Sequence, residues 1–134
     1  MIFQPIIAAL AAAVAFVGPG PAAASIEGVW RNGSDSVRIR TYQCGPLICG
    51  QVIQASAKAQ ADAARGGTPR LIGTQVFREF RATGGGGYKG KVFVPDLNRT
   101  FSGTLKIGDD HRLLGKGCIL GGLICKTTAW TRVS

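Results

Sequence analysis

The chain is short of the residues that catalysis most often needs. It has one histidine, seven acidic residues against sixteen Lys and Arg, and cysteine only in two tight pairs. Nucleophilic catalysis requires a base beside the nucleophile, usually histidine. His111 follows Asp109-Asp110 in an expected turn; three consecutive residues rarely converge on one ion, and a solvated hairpin tip accounts for them. Paired carboxylates for glycoside cleavage would have to come from Glu27, Asp35, Asp62, Glu79, Asp96, Asp109 and Asp110, and all but Glu79 fall at turns, ends or a polar loop. Glu79 is mid-strand between Arg78 and Arg81, where an ion pair explains it. The run Gly84–Gly87 is followed by neither Lys-Ser/Thr nor a helix, so it is no phosphate loop. No catalytic residue, metal or cofactor is assigned, and the chain is expected not to be an enzyme.

Long apolar runs are also scarce: there is one, at the start. Residues Met1 to Val17 carry no charge, Ile6 to Val17 is unbroken apolar sequence, Gly18-Pro19-Gly20-Pro21 breaks it, and Ala22-Ala23-Ala24 offers small residues for cleavage. The run is shorter than the ~20 residues of a spanning helix, so it reads as a secretory signal, residues 1–24, cleaved after Ala24. The alternative is a retained membrane anchor, and the missing Lys or Arg near the start leaves room for it. The expected mature chain, residues 25–134, is about 110 residues long, enough for one core and one domain. It holds all the charged side chains, so its formal charge stays at +9. That balance favours polyanionic partners or an anionic membrane surface, although scattered Lys and Arg equally make a solubilising surface.

The cysteines form two local pairs, Cys44-Gly45-Pro46-Leu47-Ile48-Cys49 and Cys118-Ile119-Leu120-Gly121-Gly122-Leu123-Ile124-Cys125. If Gly121-Gly122 is a two-residue hairpin turn, Leu120 faces Leu123, Ile119 faces Ile124 and Cys118 faces Cys125. With Pro46-Leu47 at the first turn, Gly45 faces Ile48 and Cys44 faces Cys49. Opposed Cα atoms in an antiparallel pair lie roughly 4.5–5.5 Å apart, inside the reach of a disulfide. Of three connectivities, the two local bridges are therefore expected, in an oxidising compartment. Zinc is the rival, but spacings of four and six residues stand at and beyond the upper end of the usual two to four, and an oxidising compartment disfavours free thiolates.

Short strand patterns fill the rest. Val37, Ile39 and Thr41 alternate with Arg38, Arg40 and Tyr42; Tyr88, Gly90, Val92 and Val94 oppose Lys89, Lys91 and Phe93; Phe101, Leu105 and Ile107 share one face of Thr100–Ile107. Only Ala55 to Arg65 has helix-forming composition, with Gly66-Gly67 as its stop, and it lacks the bulky residues of a membrane-binding helix. Regular strand–turn spacing predicts an all-β protein: one antiparallel up-and-down barrel of about eight strands, with a short helix or loop inserted.

Gly28-x-Trp30, the Cys44-Gly45…Cys49-Gly50 hairpin, Val92-Phe93-Val94-Pro95-Asp96 followed by Thr100-Phe101-Ser102-Gly103, and the terminal Thr128-Ala129-Trp130-Thr131-Arg132 resemble the DUF2147 family of small exported bacterial proteins. The resemblance covers essentially Gly28 to Val133. It implies a lipocalin-like, calycin-type barrel in the bacterial envelope, periplasmic or secreted, in which Arg132 of the last strand packs on Trp30 of the first as an end cap. The chain is shorter than lipocalins and lacks their long C-terminal helix, which leaves the cavity open to question.

Two functions follow. The first is a binding protein that holds a small apolar or amphipathic ligand, with Trp30, Phe77, Tyr88, Phe93, Phe101 and Trp130 as the aromatic lining and a basic rim drawing an anionic head group. The second is an interaction module, solid inside, whose basic surface docks on an anionic envelope component or protein. An eight-stranded barrel admits either. Export argues against nucleic acid, and the mature chain contains no other stretch of membrane-spanning length.

Overall fold

The computed structural model describes residues 25–134; the expected leader, residues 1–24, lies outside the described residues. Eight strands run β1 (Gly28–Arg31), β2 (Val37–Cys44), β3 (Leu47–Ala55), β4 (Gln75–Ala82), β5 (Tyr88–Val94), β6 (Arg99–Ile107), β7 (Leu113–Ile119) and β8 (Ile124–Arg132), with one helix, α1 (Ala57–Arg65), between β3 and β4. Each strand pairs antiparallel with the next, and β8 returns to β1, closing the barrel in sequence order. Closure leaves no sheet edge, which is what a set of short strands needs.

The alternation read from the sequence sets the inside and outside of β2, where Ile39 and Thr41 are buried and Arg40 is exposed. In β4 it fails. Glu79 takes a positive φ of 55°, and the register with β5 shifts between Arg78 and Arg81. This bulge turns both Phe77 and Phe80 inward, where their rings meet edge-on at 5.8 Å. Outside, Glu79 pairs with Lys91 at 3.4 Å rather than with its neighbours Arg78 or Arg81.

Both cysteine pairs are disulfides, Cys44–Cys49 and Cys118–Cys125. The first hairpin differs from expectation. Cys44 pairs with Leu47 and Tyr42 with Cys49, so the two-residue turn is Gly45-Pro46 and the bridge runs diagonally, with Cα atoms 5.9 Å apart. Gly45 at φ 63° followed by a ring-locked proline fits a II′ turn, whose hand matches the strand twist. In the second hairpin Cys118 does face Cys125, but the tip is the four-residue loop 120–123, with a 3₁₀ turn over Leu120–Gly122, and Leu120 and Leu123 are not strand partners.

Because the strands alternate in direction, one barrel end carries the turns after β2, β4 and β6, and the other carries those after β1, β3, β5 and β7. The first end is packed shut. Trp30, Phe80, Leu105 and Leu113 have no exposed surface there, and Ile26 is tucked beneath them. The second end is partly roofed by α1. Ser56 caps the helix by accepting from the Ala59 amide at 3.1 Å, Ala63 faces the barrel with no exposed surface, and Thr68 beyond the helix donates to the Pro95 carbonyl at 2.8 Å.

Candidate functional site: a one-ended cavity

A cavity of about 800 Å³ enters the barrel from the α1 end. Deep inside, Ile39, Val52, Val76, Phe77, Val92 and Trp130 form its wall. The space exists because the inner positions of β7 next to Trp130 are Gly115 and Gly117. A Cβ added at Gly117 would find its nearest neighbours at 3.9 Å and 4.0 Å, on Val92 and Phe101. The Trp130 ring stands edge-on to Phe77 with centroids 6.1 Å apart, and its buried indole N–H has no hydrogen-bond partner among the described residues.

Polar groups gather at the mouth. Asn32, Ser34 and Ser36 come from the β1–β2 turn, Lys58 and Asp62 from α1. Lys58 Nζ donates to Asp62 at 2.8 Å, and that hydrogen bond is the main cause holding the Asp62 carboxyl below its usual range. Arg65 bonds the same carboxylate, so Lys58 is tied to Asp62 within a small charge cluster. Lys126 is different. In β8, residues Ile124, Lys126, Thr128 and Trp130 face β7 residues Ile119, Gly117, Gly115 and Leu113, so alternation puts Lys126 on the row that carries Trp130. It lines the cavity and has no ion-pair partner among the described residues. The sequence reading missed it, although Ile124-x-Lys126-x-Thr128-x-Trp130 was the available signal.

Of the six aromatic residues expected to line a pocket, Phe77, Phe93, Phe101 and Trp130 border the cavity. Phe93 does so from the wrong face: alternation sets it opposite to Val92, and the Arg78 guanidinium lies 4.3 Å from its ring centroid. Trp30 and Tyr88 do not line it. Trp30 is sealed in the closed end, where Nε1 donates to Thr41 Oγ1 at 3.0 Å and to the Ile26 carbonyl at 3.2 Å. Tyr88 pairs with Leu105 at that same end. Arg132 lies over the Trp30 ring, 4.2 Å from centroid to guanidinium carbon, and its Nη1 donates to the Glu27 carbonyl at 2.9 Å. Gly28 makes room for this crossing: its φ is 149°, and a Cβ there would lie 2.5 Å from Arg132 Nη1.

Asp110 is bonded by Arg112, which holds its carboxyl below the usual range, and His111 closes a turn by donating its amide to the Gly108 carbonyl at 3.0 Å. Among the described residues no three His, Cys, Asp or Glu side chains gather as metal ligands would, and no helix is long and apolar enough to cross a membrane.

An up-and-down eight-stranded barrel, packed at one end and hollow at the other, is a lipocalin-like barrel. It is similar to the solved structure of protein HP1028 from the human pathogen Helicobacter pylori, described as belonging to the lipocalin family, with a TM-score of 0.61 over 82% of this chain and 84% of that one. At 14% identity this likeness concerns the fold alone. The chain belongs to the DUF2147 family, described as an uncharacterized protein conserved in bacteria, which it matches over residues 28–132. No curated protein matches its sequence.

Proposed function

We propose that this protein is a non-enzymatic binding protein of the bacterial envelope that takes the apolar body of a small amphipathic molecule into the barrel and sets its anionic head beside Lys126. The observation that carries this reading is the unpaired Lys126 on the inner wall, near the mouth of a cavity of about 800 Å³ whose depth is apolar. That volume falls within the roughly 300–1,000 Å³ of small-molecule sites. Phe77, Phe101 and Trp130 supply the aromatic contact, and the Thr128 hydroxyl offers a hydrogen-bonding group along the same wall. Two disulfides suit an oxidising compartment, which supports a location in the periplasm or outside the cell.

The test is titration with a fluorescent fatty acid, read as quenching of Trp130 and as saturable one-to-one binding. Gly117→Leu fills the cavity from a strand position with ordinary backbone, so it should abolish binding while leaving the fold at least as stable. Lys126→Gln removes one charged partner, worth ~1.5–3 kcal/mol, and should weaken a fatty acid about tenfold or more while sparing the matching fatty alcohol. A wild-type chain that shows no saturable binding, or a Gly117→Leu variant that binds as wild type, refutes the reading.

A further inference from the structure

The β7–β8 tip at the cavity mouth is built against its own solubility. Ile119, Leu120, Leu123 and Ile124 are 40%, 67%, 85% and 54% exposed, and Leu97 in the adjacent β5–β6 turn is 58% exposed. Single exposed apolar residues are ordinary, but a cluster of five on one rim marks a contact surface. The backbone adds a second observation. Leu120 has a φ of 53°, in the left-handed region that a bulky side chain enters only at a cost. A strained leucine left in water gains nothing for the isolated fold, and strain of this kind collects at functional sites. The Cys118–Cys125 bridge at the base of the loop holds it in this shape.

Charge names the partner. The chain carries a formal +9. Around the tip stand Lys126, two residues beyond Ile124, and Arg99 at the start of β6, against one exposed carboxylate, Asp96, in the Leu97 turn. Apolar residues flanked by an excess of cations are what an anionic bilayer binds: the first enter the acyl boundary, the second meet the head groups. Leu97, Ile119 and Ile124 also line the mouth of the cavity, so a surface that buries them would open the barrel directly onto the acyl layer.

We infer that the rim formed by Leu97 and the Ile119–Ile124 tip docks the barrel mouth-down on an anionic phospholipid bilayer, with Leu120 and Leu123 inserted. The docking stands on the tip alone; the passage of a lipid-derived ligand through it rests on the carrier reading above.

The processed chain purified from its host is sedimented with vesicles of phosphatidylethanolamine and phosphatidylglycerol, and with vesicles of phosphatidylcholine alone. Binding is expected to the first, to fall with added salt, and to be weak to the second. Leu120→Asn combined with Leu123→Ser should lower the partition coefficient at least about tenfold. Asparagine takes the left-handed backbone readily, so this variant should melt no lower than wild type, and its loss of binding cannot come from unfolding. A Leu123→Trp chain should be quenched by brominated acyl chains only on the anionic vesicles. The inference is overturned if the double variant partitions like wild type, if wild type ignores charge, or if wild type instead forms a dimer that the double variant abolishes. Fluorescent fatty-acid binding in the absence of vesicles separates the two proposals. A wild type that binds the probe but no vesicle leaves the carrier and removes the dock, and one that binds vesicles but no probe does the reverse.

Discussion

Replacing Arg132 by alanine should open the sealed end of the barrel. The guanidinium covers one face of Trp30 at 4.2 Å, Nη1 donates to the Glu27 carbonyl at 2.9 Å, and Nη2 donates to the Ser25 carbonyl. Arg132 is itself exposed, so the cation–ring contact belongs at the lower end, ~0.5–1 kcal/mol, and the two solvated hydrogen bonds add ~0.5–1 kcal/mol each. Together they come to about 2 kcal/mol. In a domain of this size that lowers the melting temperature by roughly 10 °C. Arg132→Lys keeps a cation but loses the plane and the fork, and should cost about half as much. Urea denaturation followed by tryptophan fluorescence measures both, and a red shift of native Trp30 emission in Arg132→Ala would report the uncovered ring. Gly28→Ala should cost more than Arg132→Ala, because its Cβ displaces the same guanidinium, lies 2.8 Å from the Ser134 carbonyl and sits at a φ of 149°. Lys106→Ala, on the exposed face of β6, is the control. Equal midpoints for Arg132→Ala and Lys106→Ala would refute the argument.

Thr41 is buried, accepts from the Trp30 indole and donates to the Ile26 carbonyl, so Thr41→Val should cost ~1–3 kcal/mol in the same urea assay. Peptide mapping without reductant should recover Cys44–Cys49 and Cys118–Cys125, and removing the second bridge should cost about 2.5 kcal/mol or less, because the loop it closes is short. Hydrogen bonds from Arg38, Lys58 and Arg112 hold the carboxyls of Asp35, Asp62 and Asp110 below their usual range. A depressed carboxylate stabilises the fold above its unfolded pKa and stops doing so as pH falls through the folded one. The urea midpoint should therefore slip below about pH 4, only slightly, since Asp35 and Asp110 are exposed and Asp62 is half-buried at the surface, and less in high salt.

Barrel topology was legible because every connection is local: strands separated by turn residues in strict succession have one simple way to close. The pairing of Cys118 with Cys125 was legible for the same reason, since the two stand equally far from Gly121-Gly122. The Cys44 hairpin turns one position earlier than Pro46-Leu47, because Gly45 before proline supplies the positive φ that the turn needs. Nothing in the sequence marked the β4 bulge, because Glu79 is not a residue that favours positive φ. Hence Phe77 and Phe80 could not be seen on one face. The cavity was undecidable from residue types. Its volume depends on how Gly115, Gly117 and Thr128 sum against Phe77, Phe101 and Trp130 around a closed ring, a three-dimensional subtraction that no single strand reveals.

The join between first and last strands is much thinner than the other seven. Only Trp30 with Arg132 and Arg31 with Thr131 are strand partners across it, reinforced where the Val29 amide donates to the Ser134 carbonyl at 2.8 Å and the Val133 amide to the Val29 carbonyl at 2.7 Å. The barrel is thus a cylinder with a fastened slit, and amides along that slit should exchange with deuterium sooner than those of β5 and β6. Because the two ends of the described chain meet there, a short peptide could link residue 134 to residue 25, keeping Ile26 in the seal, while the chain is cut at Gly84–Gly87, far from the fastening. Such a rearranged chain would carry its former slit as a continuous hairpin, and its remaining weak point would lie between β4 and β5, where the bulge already interrupts the ladder.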